Sequence, residues 1–303
     1  MAQTRDEERL ANAPIGPLML KLAVPAVAAQ VINMLYNIVD RIYIGHIPEV
    51  GDIALTGVGV TFPIIMLVSA FAAFAGQGGA PLASIQLGAG NREKAEKILG
   101  NSLTLLLIAA VALTVGFSVF KEPILYAFGA SENTIGYAMD YIGIYLIGTI
   151  FVQLALGLNT FISAQGKALV AMLSVLIGAV INIVLDPVFI FGLDMGVAGG
   201  ALATVLGQAL SLVMVLYYPF RTRIRTIRLT AASLHPSGPL LRAICSLGVS
   251  PFLNQMAMFL VQITLNNTLT YYGALSHYGE DIPLACVGVI SKVNILMLGF
   301  TLG

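Results

Sequence analysis

The chain of 303 residues has no Trp, only two Cys and few charges: 15 Lys plus Arg against 15 Asp plus Glu, 10 % of the whole. Soluble domains carry about a quarter charged residues. With 58 % hydrophobic residues and a mean hydropathy of +0.90, no soluble core could hide the apolar surface. Without Trp, any aromatic belt at a membrane interface must come from Tyr. Cys245 and Cys286 fit neither a metal site nor a disulfide framework, and both read as small core residues. The start, MAQTRDEERLANAP, lacks the cationic-then-apolar order of a signal peptide, so the first span is expected to act as the insertion signal. No stretch fits a soluble domain or a nucleic-acid surface. The expected class is an all-α polytopic membrane protein.

What is present is a series of apolar runs of roughly the 20 residues a span needs. Eight are expected: Pro17–Ile44, Ile53–Ile85, Ile98–Phe120, Ile135–Ala164, Ala168–Phe191, Gly199–Phe220, Leu241–Tyr271 and Ile282–Gly303. Short connections rich in Gly, Asn and charge, such as GAGNREKAEK at 88–97, separate them. Positive charge orients the chain. With the N-terminus cytoplasmic, that side receives Arg5, Arg9, Lys21, Arg92, Lys94, Lys97, Lys167, Arg221, Arg223, Arg225, Arg228 and Arg242. The other side receives only Arg41 and Lys121, with Lys292 inside the last span. The basic stretch 221–240 is read as a cytoplasmic linker, with binding of anionic lipid as its sharper alternative.

A duplication is visible. DIALTGVGV at 52–60 returns as DIPLACVGV at 281–289, and Pro25 and Pro251 open similar upstream stretches in which Asp40 aligns with Asn266. Parallel repeats are a known transporter architecture. The offset implies a parent of about 450 residues and twelve spans. The expected organisation is therefore a six-helix lobe over 1–220, the linker 221–240, and the start of a second lobe over 241–303. On this reading the chain is truncated after about two-thirds, and a transport-incompetent fragment is one expectation.

Carboxylates inside spans are costly and rare, and by default they mark function. Asp40 lies four residues before Ile44, about 6 Å below that end at 1.5 Å per residue. Asp186 lies five before Phe191, and Thr204 five after Gly199, so all three share the outer half of the bilayer. Asn182 and Asp186 occupy one helix face at i, i+4, as do Tyr36 and Asp40. Gln30, Asn33, Asn37 and Asp40 continue a polar stripe that should face protein or water. Such oxygen ligands can hold a hard cation, and Na+ at Asp40, Asn182, Asp186 and Thr204 is one expectation. They also suit proton storage, because loss of water disfavours the charged carboxylate. The plain alternative is that Asp40 pairs with Arg41 and Asp186 caps a helix end.

Prolines add irregularity. Pro25 and Pro187 deprive Lys21 and Ile183 of helical hydrogen bonds and read as hinges; Pro63 and Pro81 are expected to kink the second span. Gly76, Gly78 and Gly79 read as sites of close helix approach. Gln255, Gln262 and Asn266 form an uncharged stripe that could line a cleft.

The motifs YNIVDRIYIG at 36–45, QLGAGNREKA at 86–95, SAQGK at 163–167, NIVLDPVFIFG at 182–192 and GVAGGALATVLGQ at 196–208 resemble the multidrug and toxic compound extrusion (MATE) family in order and spacing. The resemblance implies twelve helices in two lobes around a central cleft, and export of organic cations and amphipathic compounds in exchange for protons or sodium ions. It implies no enzyme activity and no cofactor beyond the coupling ion. The implied partners are a small-molecule substrate and membrane lipid, and the implied form is a monomer in the cell inner (plasma) membrane. By resemblance, Asp40 is the family's helix-one acid, Asn182 and Asp186 its helix-five pair and Thr204 its helix-six hydroxyl, with Tyr36 and Asn37 beside them. Pro25 is the bend expected as the cluster fills. One branch of the family carries an acidic residue eight positions after a helix-seven proline; here that position is Phe259. A lipid-linked flippase or polysaccharide exporter of related architecture is the nearest rival reading. An intramembrane aspartyl protease would need a GxGD motif, which is absent.

Overall fold

The structure, a computed structural model, describes residues 14–221, 229 and 231–277, with a few positions between 279 and 290. Seven long helices carry nearly all of it: α1 Ile15–Gly45, α2 Gly51–Gly88, α3 Arg92–Ala127, α4 Ile135–Ala164, α5 Ala168–Pro187, α6 Gly196–Arg221 and α7 Gly238–Ala274. A π-helical segment, Val188–Gly192, extends α5, and a 3-10 turn, Ala231–Leu234, precedes α7. In lipid every backbone group must find its partner within the protein, which helices achieve segment by segment. Six of the helices are long and apolar enough to cross a membrane, and α4 makes a seventh if its two halves count as one span. The expected eighth span, Ile282–Gly303, and linker residues 222–228 lie largely outside the described residues.

Helix ends follow local chemistry. Asn91 caps α3, its side chain accepting from the Lys94 N–H at 3.1 Å. The charged run 92–97, expected as loop, is therefore the first turn and a half of helix. Gly90 and Gly166, at φ +75° each, close α2 and α4; the next residue's N–H returns to the last turn, Asn91 to Gln86 and Lys167 to Ile162. This is the left-handed glycine cap that a Cβ would oppose.

The helices associate through small residues. Three neighbouring glycines of α2 face three different helices. A Cβ on Gly76 would lie 2.7 Å from the Gly157 carbonyl of α4, one on Gly79 would strike Ser102 of α3, and one on Gly78 would lie 3.0 Å from Gly248 Cα of α7. Apolar side chains cannot drive helices together in lipid, so such close backbone contact supplies the attraction. Gln153 of α4, fully buried, adds a hydrogen bond of 2.8 Å to the Val68 carbonyl of α2.

Two departures from the expected spans appear. α2 runs unbroken through Pro63 and Pro81. The bends fall elsewhere. α4 turns by 58° between Ile147 and Thr149, where Gly148 leaves room for Val205 of α6. α3 breaks at Phe120 (φ −112°, ψ 17°), three residues before Pro123, whose ring crowds the preceding turn. The α4 bend divides the interior into two cores. One contains Phe161, Leu106, Ile98 and Ile244; the other contains Ile44, Ile64, Tyr141, Ile142 and Ile190. Cys245 is half-buried, and Cys286 is exposed rather than in a core, because it lies beyond the end of α7.

Candidate functional site

α1 packs along α5, α5 along α6, and α6 along the first half of α4. These four helices bring the expected residues to one place in the second core. Asp186 is fully buried, Asn182 is 1 % exposed, Asp40 6 % and Thr204 9 %. The Asn182 amide nitrogen donates to Asp186 Oδ1 and to Thr204 Oγ1, each at 3.3 Å. That orientation is the chemically sensible one, since an ionised carboxylate only accepts. Gly178 and Gly207 permit it: a Cβ on Gly207 would lie 2.7 Å from the Gly178 carbonyl, so α5 and α6 meet backbone to backbone one turn from Asn182.

Asp40 reaches the same pocket from α1. Its Oδ1 rests on α6 at Gly200, one turn before Thr204. Asp40 and Asp186 are near enough to act on each other electrostatically, and both act on Tyr36. Tyr36 in turn accepts from Gln208 Nε2 of α6 at 3.3 Å. Within this pocket, Asn182 Oδ1 and Asp186 Oδ2 are buried without hydrogen-bond partners. A buried oxygen left so costs about 1–3 kcal/mol, which a bound proton or cation would relieve.

The plain alternative fits less well. Arg41 lies over the Phe62 ring of α2, 5.7 Å from its centroid. Asp186 bonds across the pocket instead of capping: α5 continues past it into the π-helical turn, where Leu193 N–H reaches the Val188 carbonyl at 2.8 Å. Pro187, with no N–H to offer Ile183, is where the α-helical pattern stops. α1 passes through Pro25 without a break.

Other expected residues are placed differently. Asn37 turns back to its own helix, donating to the Asn33 carbonyl at 2.7 Å, and Gln30 is exposed. On α7, Gln262 donates to the buried Asn266 at 2.9 Å, with Gln255 half-buried two turns earlier. α7 packs lengthwise on α2, so this stripe lies apart from the carboxylates. Phe259, the position of the acidic residue in some relatives, packs edge-on against Phe128 with ring centroids 5.8 Å apart.

Tyr141 and Tyr145 of α4 join the pocket without having been singled out in the sequence. They stack 6.3 Å apart; Tyr141 lies within hydrogen-bonding reach of Thr204 and near Asp40, and Tyr145 near Tyr36. The available signal is Tyr137, Tyr141 and Tyr145 at i, i+4, i+8, one stripe of a helix.

Comparison with known proteins agrees with this architecture. The MatE family model matches residues 25–188. The multidrug export protein MepA of Staphylococcus haemolyticus is 28 % identical over 268 residues, 88 % of this chain and 59 % of MepA. The MATE multidrug transporter DinF-BH, solved in complex with a drug, superposes with a TM-score of 0.88 at 34 % identity, over 96 % of this chain and 64 % of that one. A MATE crystal structure in the bent conformation gives a TM-score of 0.79 at 26 % identity, over 93 % and 62 %. The chain thus spans about three-fifths of the length of the proteins it matches. It is a multi-pass membrane protein and belongs to the MatE family of transporters.

Proposed function

We propose that the chain forms the ion-coupling part of a secondary antiporter that exports amphipathic or cationic small molecules in exchange for protons or sodium ions. The observation that carries this reading is the convergence of Asp40 and Asp186 from two helices in one lipid-shielded pocket, with buried oxygens still unsatisfied. Asp40, Asn182, Asp186 and Thr204 hold the ion, with Tyr36 and Tyr141 beside them. Occupancy removes the repulsion between the carboxylates and lets the four helices close; vacancy favours a looser pocket. Pro187 and the π-helical turn supply the slack at α5, and Pro25 supplies it at α1.

In this reading residues 1–220 form the first lobe, 221–240 the connecting linker, and 241–303 the start of a second lobe that shares the substrate cleft. The N-terminus is cytoplasmic in the plasma membrane, the unit is a monomer in lipid, and the carboxylates lie toward the outer face. The relatives support the substrate class: MepA is a multidrug export protein, and DinF-BH was solved with a drug bound.

The test is efflux of a fluorescent organic cation by the protein in sealed vesicles, driven by an imposed proton gradient or an imposed sodium gradient. Asp40→Asn and Asp186→Asn are each expected to reduce the driven rate at least tenfold at normal protein levels. Unchanged rates in both variants would overturn the reading, and the gradient that drives the wild-type protein identifies the coupling ion.

A further inference from the structure

A cavity of about 560 Å³ lies between α2, α4 and α7, far from the carboxylates. Gln77, Pro81, Ser84, Thr160, Leu247 and Pro251 line it. Its volume falls within the ~300–1,000 Å³ of drug-sized sites. On α2 it starts seven residues above Gly88, about 10 Å from that end at 1.5 Å per residue, whereas Asp40 and Asp186 lie near the opposite end of the helices.

Two prolines face this cavity from opposing helices, and both act alike. Pro81 has no N–H for the carbonyl four residues earlier, which is that of Gln77; Pro251 has none for that of Leu247. All four residues line the same space. Two main-chain carbonyls thus lose their helical donors on two helices that meet at one cavity. The hydroxyls there spend their protons on the helices: Ser84 donates to the Ala164 and Ala80 carbonyls at 2.9 and 3.1 Å, and Thr160 to the Gly157 carbonyl at 2.7 Å. Their lone pairs remain for a guest. No lining residue is charged, and the rest of the wall is apolar. The surface therefore presents oxygen dipoles without a full negative charge, in a setting from which water is easily displaced. Such a surface favours a weakly hydrated organic cation and disfavours an anion of the same shape.

We propose that this cavity is a binding site for a lipophilic organic cation, held by the carbonyl dipoles that Pro81 and Pro251 expose and distinct from the carboxylate pocket. Only its place in a transport cycle rests on the export reading above: there it is a loading site at the end of the helices remote from the coupling ion.

The experiment is equilibrium dialysis of the purified chain in detergent with tetraphenylphosphonium and with tetraphenylborate, a pair of nearly equal shape and opposite charge, each corrected for protein-free micelles. The wild-type chain is expected to bind the phosphonium at least tenfold more tightly. The double variant Pro81→Ala/Pro251→Ala returns an N–H to both carbonyls without adding bulk, and should reduce that preference to within about threefold. Proline-to-alanine changes inside helices favour the helix, so folding should survive, and a melting curve checks it. Leu247→Trp, which fills the space, should weaken phosphonium binding by a similar factor. Equal binding of the two ions, or a preference untouched by the double variant, overturns the proposal. So does a Leu247→Trp protein that is destabilised yet binds normally, which would mean that the chain itself fills the space. If the preference vanishes in Asp40→Asn/Asp186→Asn but persists in the proline variant, the cation sits at the carboxylates; this proposal falls and the coupling-site reading stands. Undiminished ion-driven efflux in the carboxylate variants instead removes the coupling-site reading without touching the cavity.

Discussion

Gly200 lies directly against Asp40: a Cβ on that glycine would sit 3.2 Å from the carboxylate Oδ1 and 3.3 Å from Ile44 Cδ1. The glycine therefore fixes how deeply the acid can enter the pocket. Its neighbour Gly199 meets the π-helical turn, where a Cβ would lie 2.8–2.9 Å from the backbone of Phe189 and Ile190.

These two contacts predict opposite outcomes for the same substitution. In Gly200→Ala the side chains of Asp40 and Ile44 yield by a few tenths of an ångström, so stability should fall by less than about 1 kcal/mol. The concentration of coupling ion that gives half-maximal efflux should change at least threefold. In Gly199→Ala backbone must move, and the cost rises to about 1–3 kcal/mol. Melting curves and ion titrations of the two variants separate the effects; equal ion dependence in Gly200→Ala and wild type would count against Asp40 as a ligand.

Asn182 bridges the pocket by two bonds from one nitrogen. Asn182→Ala removes both and leaves Asp186 Oδ1 and the Thr204 hydroxyl without it. Hydrogen bonds between membrane helices average about 0.6 kcal/mol and reach about 1.7. A stability loss of about 1 kcal/mol is expected by thermal melting in detergent, with ion-driven efflux reduced far more than that loss explains. Efflux that falls only in step with folded protein would assign Asn182 to packing alone.

The contact of Gly78 with Gly248 holds α7 on α2, and a Cβ on Gly248 would collide with the Phe74 carbonyl. Gly248→Val is expected to destabilise the chain by several degrees in a melting curve, because neither backbone can retreat. Asn267→Ala removes one exposed hydrogen bond, to the Ala127 carbonyl at 3.2 Å. It should shift melting by no more than about 0.5 kcal/mol. Equal effects of the two changes would mean that α7 is not held by its glycine face.

Asn101 of α3 is fully buried and grips the segment before α7. It accepts from the Ser237 N–H at 2.8 Å and donates to the Lys97 carbonyl at 2.7 Å and to the His235 carbonyl at 3.4 Å. Asn101→Ala is expected to expose residues 231–237 to limited proteolysis in detergent at least threefold faster than wild type. An unchanged cleavage rate would show that Leu229, Leu240 and the buried Ser233 suffice to hold the segment.

Apolar length makes the helices legible in the sequence, because a span must cross a fixed thickness. The pocket is legible where polar residues break that pattern: Asp40, Asn182, Asp186 and Thr204 meet in the fold as their spacing suggests. Tyrosines are harder to assign, since Tyr141 and Tyr145 satisfy an apolar stripe as readily as a polar one. Proline is a poor guide to the bends. Pro63 and Pro81 pass without a break, whereas Gly148 bends where a neighbour's Val205 needs room, a tertiary demand that no local pattern encodes. The stripe on α7 marks a further limit, because i, i+4 spacing gives a face but not the helix that covers it.

The elbow at Gly148 makes one thirty-residue segment serve two masters. Substitutions from Ile135 to Ile147 are felt among the tyrosines and carboxylates, while those from Thr149 to Ala164 are felt where α2 and α3 clasp the other arm. A scan along this segment should therefore sort into two phenotypes, altered coupling and altered assembly, with the changeover at a single position.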